Sequence, residues 1–357
     1  MRSQHLAILQ PIIPHYRSDF FQELRDRCGD VDIFTYSCEK DCKKSGFHVQ
    51  MKSIHVRSIL FGPVLIYNPL PFLSKRYDTL VLMLNFGHVT TWLLLILKFF
   101  FHKKIIVWGQ GISVKRYLKE ELHPDWKLKL MVAMSDGVWF YMDKEYQQWR
   151  CIFPQKPMVA LGNSLSGVNE MLEYCPKESK DALKEKYGIK EKRVFIFCAR
   201  FESKYRRTDL LLEIIGSLDS VENGYVIIGS GKYKPDFSRY SNVYDFGALY
   251  DNEIKRDLFY IADLYLQPGW VGLSIMEAMA YGKPVCTFVR SKETLQCVEY
   301  SYIEDGINGM IFKDMNDCMR KLSMISNNEL ILMGKNAQNT VHLHTPHYMV
   351  NQAIAIL

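Results

Sequence analysis

No stretch of this chain is both long and uninterruptedly apolar. The most apolar run, Trp92–Phe101, is broken by Lys98 and falls far short of the ~18–20 residues a bilayer crossing needs, so no transmembrane helix is expected. Cysteine is scarce and unordered. Nine residues, an odd number without a CxxC pair, do not make a disulfide framework, and they leave Cys28, Cys38, Cys42 and His48 without the spacing of a zinc site. Twenty-one Gly and 13 Pro in 357 residues are too few for a low-complexity polymer. The opening residues, Met1–Pro11, lack the apolar core and small-residue cleavage site of a secretory signal, so a cytoplasmic location is expected. There is no HExxH and no Walker A, and Gly109-Gln110-Gly111 lacks the third glycine of a dinucleotide fingerprint. No metal and no cofactor is expected.

What is present is a rhythm. Strand-like runs at Leu6–Gln10, Val31–Thr35, Thr79–Leu84, Lys104–Trp108 and Asp136–Tyr141 alternate with helical stretches at Asp19–Cys28 and Trp92–Phe101, the βαβ pattern of a parallel sheet. Polarity rises over 166–192, and a second series follows. It has strands at Arg193–Cys198, Tyr225–Ile228, Leu264–Gln267 and Pro284–Phe288, with helices at Arg207–Ser217, Asn252–Ile261 and Ser274–Tyr281. The expected fold is α/β, two Rossmann-like domains facing across a cleft. The first spans 1–168, the second 169–340, and a C-terminal helix in 341–357 is expected to pack back on the first. Length alone already favours two domains.

The most informative segment runs from Gln267 to Val285, QPGWVGLSIMEAMAYGKPV. A strand ends, a loop with Gly269 and Gly272 lets backbone approach a ligand, and a helix opens at Leu273 and Ser274, which together describe an anion site. A structural reading competes with it: Ser274-x-x-Glu277 has the form of a capping box, with Gly282 as the residue that closes the helix.

This segment resembles the donor-binding signature of family 4 retaining glycosyltransferases, in its PGxVGL form, and that family has the two-Rossmann GT-B fold. Other segments agree in order. Ala199-Arg200-Phe201-Glu202-Ser203-Lys204 followed by Asp209, Ile228-Gly229-Ser230-Gly231, and Glu299 followed by Asp305-Gly306-x-Asn308-Gly309 resemble the family's later motifs. In the first half, Pro14-His15-Tyr16-Arg17 resembles the acceptor-side opening of bacterial members, and Leu161–Ser164 stands where an NG pair precedes the linker. The resemblance implies that Glu277 holds the nucleotide ribose. It implies that Arg200, with Lys204 or Arg206, holds the diphosphate, and that Gly229, Gly231, Gly269, Val271, Gly272, Leu273, Ser274 and Glu299 line the donor site. His15, Arg17, His88 and Gln110 are the acceptor-side candidates. Two positions depart from the family: Gly269 replaces a Glu eight places before Glu277, and Gln110 stands where a His is common.

Charge is uneven. Residues 1–168 hold 22 Lys and Arg against 14 Asp and Glu, and the remainder 23 against 25. The first half is therefore expected to meet something anionic, a lipid-linked acceptor or a membrane surface touched by Lys103, Lys104, Lys115, Arg116 and Lys119. The whole resembles a metal-independent, cytoplasmic enzyme, peripheral at most to the membrane, that transfers a hexose from a UDP- or GDP-sugar in surface polysaccharide or lipopolysaccharide synthesis. No nucleic acid partner is expected. A GT-B-fold sugar-nucleotide epimerase and a non-catalytic nucleotide-sugar-binding protein are the rivals.

Overall fold

The computed structural model describes residues 5–37 and 51–357; Cys38, Cys42 and His48 lie outside them. The chain divides into two units, Met1–Gly167 with His344–Leu357, and Val168–Leu343.

The first unit is built on β1 (Leu6–Gln10), β2 (Val31–Thr35), β3 (Ile54–His55), β4 (Ser58–Phe61), β5 (Val64–Tyr67), β6 (Thr79–Met83), β7 (Lys104–Gly109), β8 (Gly137–Phe140) and β9 (Met158–Ala160). Seven of these form one sheet in the order β3-β2-β1-β6-β7-β8-β9, every pair parallel. β1, β7 and β8 are buried almost throughout, as strands covered by helices on both faces must be. An antiparallel hairpin of β4 and β5, turning at Gly62, was not anticipated from the sequence. The C-terminal helix, Pro346–Ile354, packs on the helix Ser18–Cys28. Met349, Val350 and Ala353 join Phe20, Phe21 and Leu24 in one core cluster.

The second unit carries β10 (Arg193–Cys198), β11 (Asn223–Ile228), β12 (Val243–Asp245), β13 (Leu264–Leu266), β14 (Val285–Phe288) and β15 (Gly309–Phe312). They form an all-parallel sheet in the order β12-β11-β10-β13-β14-β15. In sequence order within the unit this is 3-2-1-4-5-6, the doubly wound arrangement whose order reverses between its first and fourth strands. That reversal falls between β10 and β13. Ligands of such sheets bind outside the strand C-termini at that point, and the loops leaving β10 and β13 hold most of the residues singled out above.

Candidate active site

The loop after β13 is held by buried amides. Gln267, fully buried, donates Nε2–H to the carbonyl of Trp270 at 2.7 Å. Gln296, also fully buried, accepts from the N–H of Val271 at 2.8 Å and donates to the carbonyl of Phe288 at 2.8 Å. Trp270 takes a left-handed conformation, φ 53°, rare for a bulky residue, and its ring stacks on Tyr205 at 5.0 Å. The N–H of Val271 is thus already bonded, and what this residue offers a ligand is position.

The two loop glycines serve different ends. A Cβ on Gly269 would lie 2.5 Å from the carbonyl oxygen of Tyr205 and 2.8 Å from Cγ of Arg207, whereas one on Gly272 would meet nothing nearer than Sγ of Cys297 at 3.7 Å. The approach of the 204–207 turn therefore demands glycine at 269, which is why the Glu that resemblance leads one to seek there cannot stand in this backbone. No packing demands glycine at 272. Gly229 and Gly231 resemble Gly269: a Cβ on them would meet the carbonyl oxygen of Ala199 at 2.1 Å and the carbonyl carbon of Phe201 at 2.6 Å. They let the β10 loop that carries Arg200 lie against β11.

The capping-box reading fails. The helix begins at Ser274, its N-cap is Leu273 without a side-chain cap bond, and the Ser274 hydroxyl donates to Oε1 of Gln267 at 3.1 Å. Glu277 instead pairs with Lys255, Nζ to Oε1 2.6 Å and Nζ to Oε2 2.7 Å. Burial by itself would lower the Lys255 ammonium, but the Glu277 carboxylate holds it above its ordinary range. Lys255 has no local signal in the sequence; it comes from the helix Asn252–Ile261, which precedes β13.

Four cations lie on the β10 loop. Arg207, at φ 52°, is spent on Asp209, with Nη2 at 2.7 Å, and on Thr294 Oγ1 at 2.6 Å. Lys204 is exposed over the ring of Tyr205. Arg206 reaches under the β13 loop, donating from Nη1 to the carbonyl of Trp270 at 2.8 Å. Burial draws its guanidinium below the ordinary value, and the charge of Arg200 adds to this. Arg206 takes part in none of the ion pairs among the described residues. A half-buried cation beside a second cation, with only a carbonyl as partner, is an environment that an anion would relieve. Arg200 itself is exposed just past the end of β10. The sequence leaves the second cation open between Lys204 and Arg206; in the fold neither meets Asp209, which pairs with Arg207 instead.

Glu299 is buried on the short turn Val298–Tyr302. Burial pushes the neighbouring Cys297 thiol up to about 12, and the Cys198 thiol likewise to about 12, so neither supplies a thiolate at neutral pH. Asp305 and Asn308 are consumed by structure: Asp305 accepts from Lys321 Nζ at 3.0 Å, and Asn308 Nδ2–H donates to the carbonyl of Tyr302 at 2.8 Å.

In the first unit the acceptor-side candidates follow the C-terminal ends of β1, β6 and β7, and its strand order also reverses between β1 and β6. His15 is exposed and Gln110 half-buried. Arg17 is buried among the rings of Tyr16, Trp108 and Tyr141, with Asn163 and Met349 accepting from its guanidinium; these contacts give it a packing role. His88 is buried edge-on to Tyr36, and its Nδ1 has no hydrogen-bond partner among the described residues. Asp30-Val31-Asp32 has an acidic spacing that could suggest a metal, but it stands at the start of β2, away from the strand C-termini. Asp32 bonds Tyr77 and Arg76, and Asp30 pairs with His5.

Comparison with known proteins falls on this geometry. Residues 192–328 match the family model described as Glycosyl transferases group 1, a range that contains Arg200, Arg206, the β13 loop, Lys255, Glu277 and Glu299. Alpha-monoglucosyldiacylglycerol synthase of Acholeplasma laidlawii is 30% identical over 178 residues, 45% of this chain and 42% of that protein. The chain thus matches less than half the length of that curated relative. Among solved structures, Anabaena HepE in complex with UDP and glucose superposes with TM-score 0.62 at 13% identity, over 99% of this chain and 98% of its own. A putative UDP-N-acetylglucosamine 2-epimerase from Listeria monocytogenes superposes with TM-score 0.58 at 11% identity, over 99% and 95%. The two parallel-sheet α/β units thus have the GT-B fold, and the second of them, over residues 192–328, carries the sequence pattern of the group 1 glycosyltransferases.

Proposed function

We propose that this chain is a retaining glycosyltransferase that moves a sugar from a UDP- or GDP-sugar to a hydroxyl of a lipid-linked or saccharide acceptor in the synthesis of a surface glycoconjugate. The observation that carries the reading is the half-buried Arg206, without an ion-pair partner among the described residues, which feels the charge of Arg200 and acts on Cys198 together with the Glu277–Lys255 pair, all within the stretch that matches the group 1 family. Glu277 is the group to accept hydrogen bonds from the donor's ribose hydroxyls, its carboxylate oriented by Lys255. Arg200 and Arg206 face the diphosphate. As the sugar–phosphate bond breaks, charge grows on the leaving diphosphate, and cations already fixed in place stabilise it without reorganisation. This assigns the neutralising role to guanidinium groups and makes the reaction metal-independent. A glycolipid synthase among the relatives supports a lipid acceptor.

The fold alone does not separate transfer from epimerisation, since a putative epimerase superposes over nearly the whole chain. The sequence pattern over 192–328 favours transfer. A thermal-shift screen over UDP- and GDP-sugars tests the donor assignment. A true donor at 100 times its dissociation constant adds about 2.7 kcal/mol of apparent stability, and a flat response across both nucleotide series would remove the donor site.

A further inference from the structure

The first unit leaves an apolar face bare. On the helix Val89–Phe101 one side, with Leu94, Leu95 and Lys98, is buried; the stripe Val89, Leu93, Ile96 and Phe100 is exposed, with Phe99 beside it. Phe100 is 76% and Phe99 74% exposed. This helix packs against β5 and against the helix Trp126–Met134. Each neighbouring element exposes apolar side chains of its own: Ile59 and Phe61 on the β4–β5 hairpin, the latter 83% exposed, and Trp126, 68% exposed. The helix 126–134 is anchored by Leu128, Met131 and Val132, so Trp126 is not held out by lack of a core. Water-exposed aromatic side chains gathered on three adjoining elements mark an interaction surface, since soluble proteins seldom leave contiguous patches of this kind.

Charge identifies the partner. Residues 51–135, which contain all three elements, hold twelve Lys and Arg against four Asp and Glu, while residues 1–50 hold seven against seven and 136–168 three against three. The whole positive excess of the first half is therefore confined to the stretch that exposes the apolar face. Lys115, Lys119 and Lys127 are exposed cations of this stretch, Lys127 over the ring of Trp126 itself. Lys103 is not among them: it is buried, donating to the carbonyls of Ser74 and Tyr77, because the left-handed turn at His102 sends the chain back inward.

We propose that this face seats at the headgroup–acyl boundary of an anionic bilayer, with Phe61, Phe100 and Trp126 entering the acyl layer and Lys115, Lys119 and Lys127 at the headgroups. The binding is apolar insertion guided by charge, the pattern of an interfacial anchor. It asks nothing of donor binding or turnover.

Trp126 provides the probe, because the other five tryptophans are buried or half-buried. The full chain is mixed with phosphatidylglycerol/phosphatidylcholine vesicles whose acyl chains are or are not brominated. The expected result is bromine quenching of tryptophan emission with wild type, lost in Trp126→Phe, which still co-sediments. Ile96→Ser with Phe100→Ser should lower vesicle binding at least tenfold at an unchanged thermal midpoint. Four results would overturn the proposal: no vesicle binding, binding without quenching, quenching that persists in Trp126→Phe, or a concentration-dependent rise in mass that the double variant abolishes, which would make a second copy the occupant. No donor or acceptor enters the assay, so its failure leaves the transfer reading standing, and failure of transfer leaves this one.

Discussion

At the scale of single residues, Gly269 and Gly272 lie three positions apart and answer to different constraints. Gly269→Ala drives a methyl to 2.5 Å from a backbone oxygen and should destabilise the second unit by about 1–3 kcal/mol, the usual cost of overpacking. Gly272→Ala has room, so its thermal midpoint should hold while donor affinity falls, because only a ligand needs that space. Equal stability and equal donor affinity in Gly272→Ala would show that no ligand approaches there. Glu277→Ala should weaken nucleotide binding by roughly 10- to 100-fold, a hydrogen bond to a charged group being worth about 1.5–3 kcal/mol. Since Ser274 and Glu277 form no capping box, its circular dichroism should be unchanged, and titration calorimetry reads the affinity. His88 makes a pH prediction. Burial lowers its imidazole to about 4, below the ~6.5 of an unfolded chain. The unfolded chain binds more protons between these values, so this contribution to stability is complete above ~6.5 and is lost as pH falls toward about 4. His344, also lowered by burial, acts with the same sign. Urea unfolding should show wild type losing roughly 2 kcal/mol more than His88→Phe between about pH 7.5 and 5; parallel losses in the two proteins would contradict the assignment.

Elements were legible where one signal decided them. The buried strands β1, β6, β7 and β10 are apolar enough to be read directly, and the helix 252–261 shows its amphipathic spacing. The hairpin β4–β5 was missed because its residues, Ser58–Phe61 and Val64–Tyr67, are apolar on the exposed side and so show no alternation. The site was half legible. Glycines and Glu277 stood in a recognisable order, but Lys255, Gln267 and Gln296 act only because the sheet brings separate loops together, and no spacing along the chain records that. Lys204 and Arg206 were not separable by spacing either, and the pairing of Asp209 with Arg207, at its left-handed turn, has no signal along the chain. The C-terminal helix carries a stability prediction. Met349 is fully buried between the helix Ser18–Cys28 and Arg17, so Met349→Ala should cost about 2–4 kcal/mol by denaturant unfolding. A loss under about 0.5 kcal/mol, the scale of surface substitutions, would mean that this helix adds little to the first unit.

For the whole molecule, the metal-free account requires guanidinium groups to meet charge that peaks as the bond breaks. Arg200→Ala should then lower turnover more than donor affinity, a contact made chiefly in the transition state appearing in the rate constant. EDTA should leave the wild-type rate unchanged; loss restored by magnesium or manganese would contradict the mechanism. The claim on which the rest depends is that sugar leaves the nucleotide and joins another molecule. It is tested by incubating the full chain with radiolabelled UDP- and GDP-sugars and lipid or saccharide acceptors, then following label and nucleotide together in wild type and Glu277→Ala. The account predicts label in the acceptor fraction, one nucleoside diphosphate released for each sugar transferred, and strong loss of both in the variant. Label that remains on the nucleotide as an isomerised sugar, or donor that binds without turnover whatever acceptor is supplied, would contradict it.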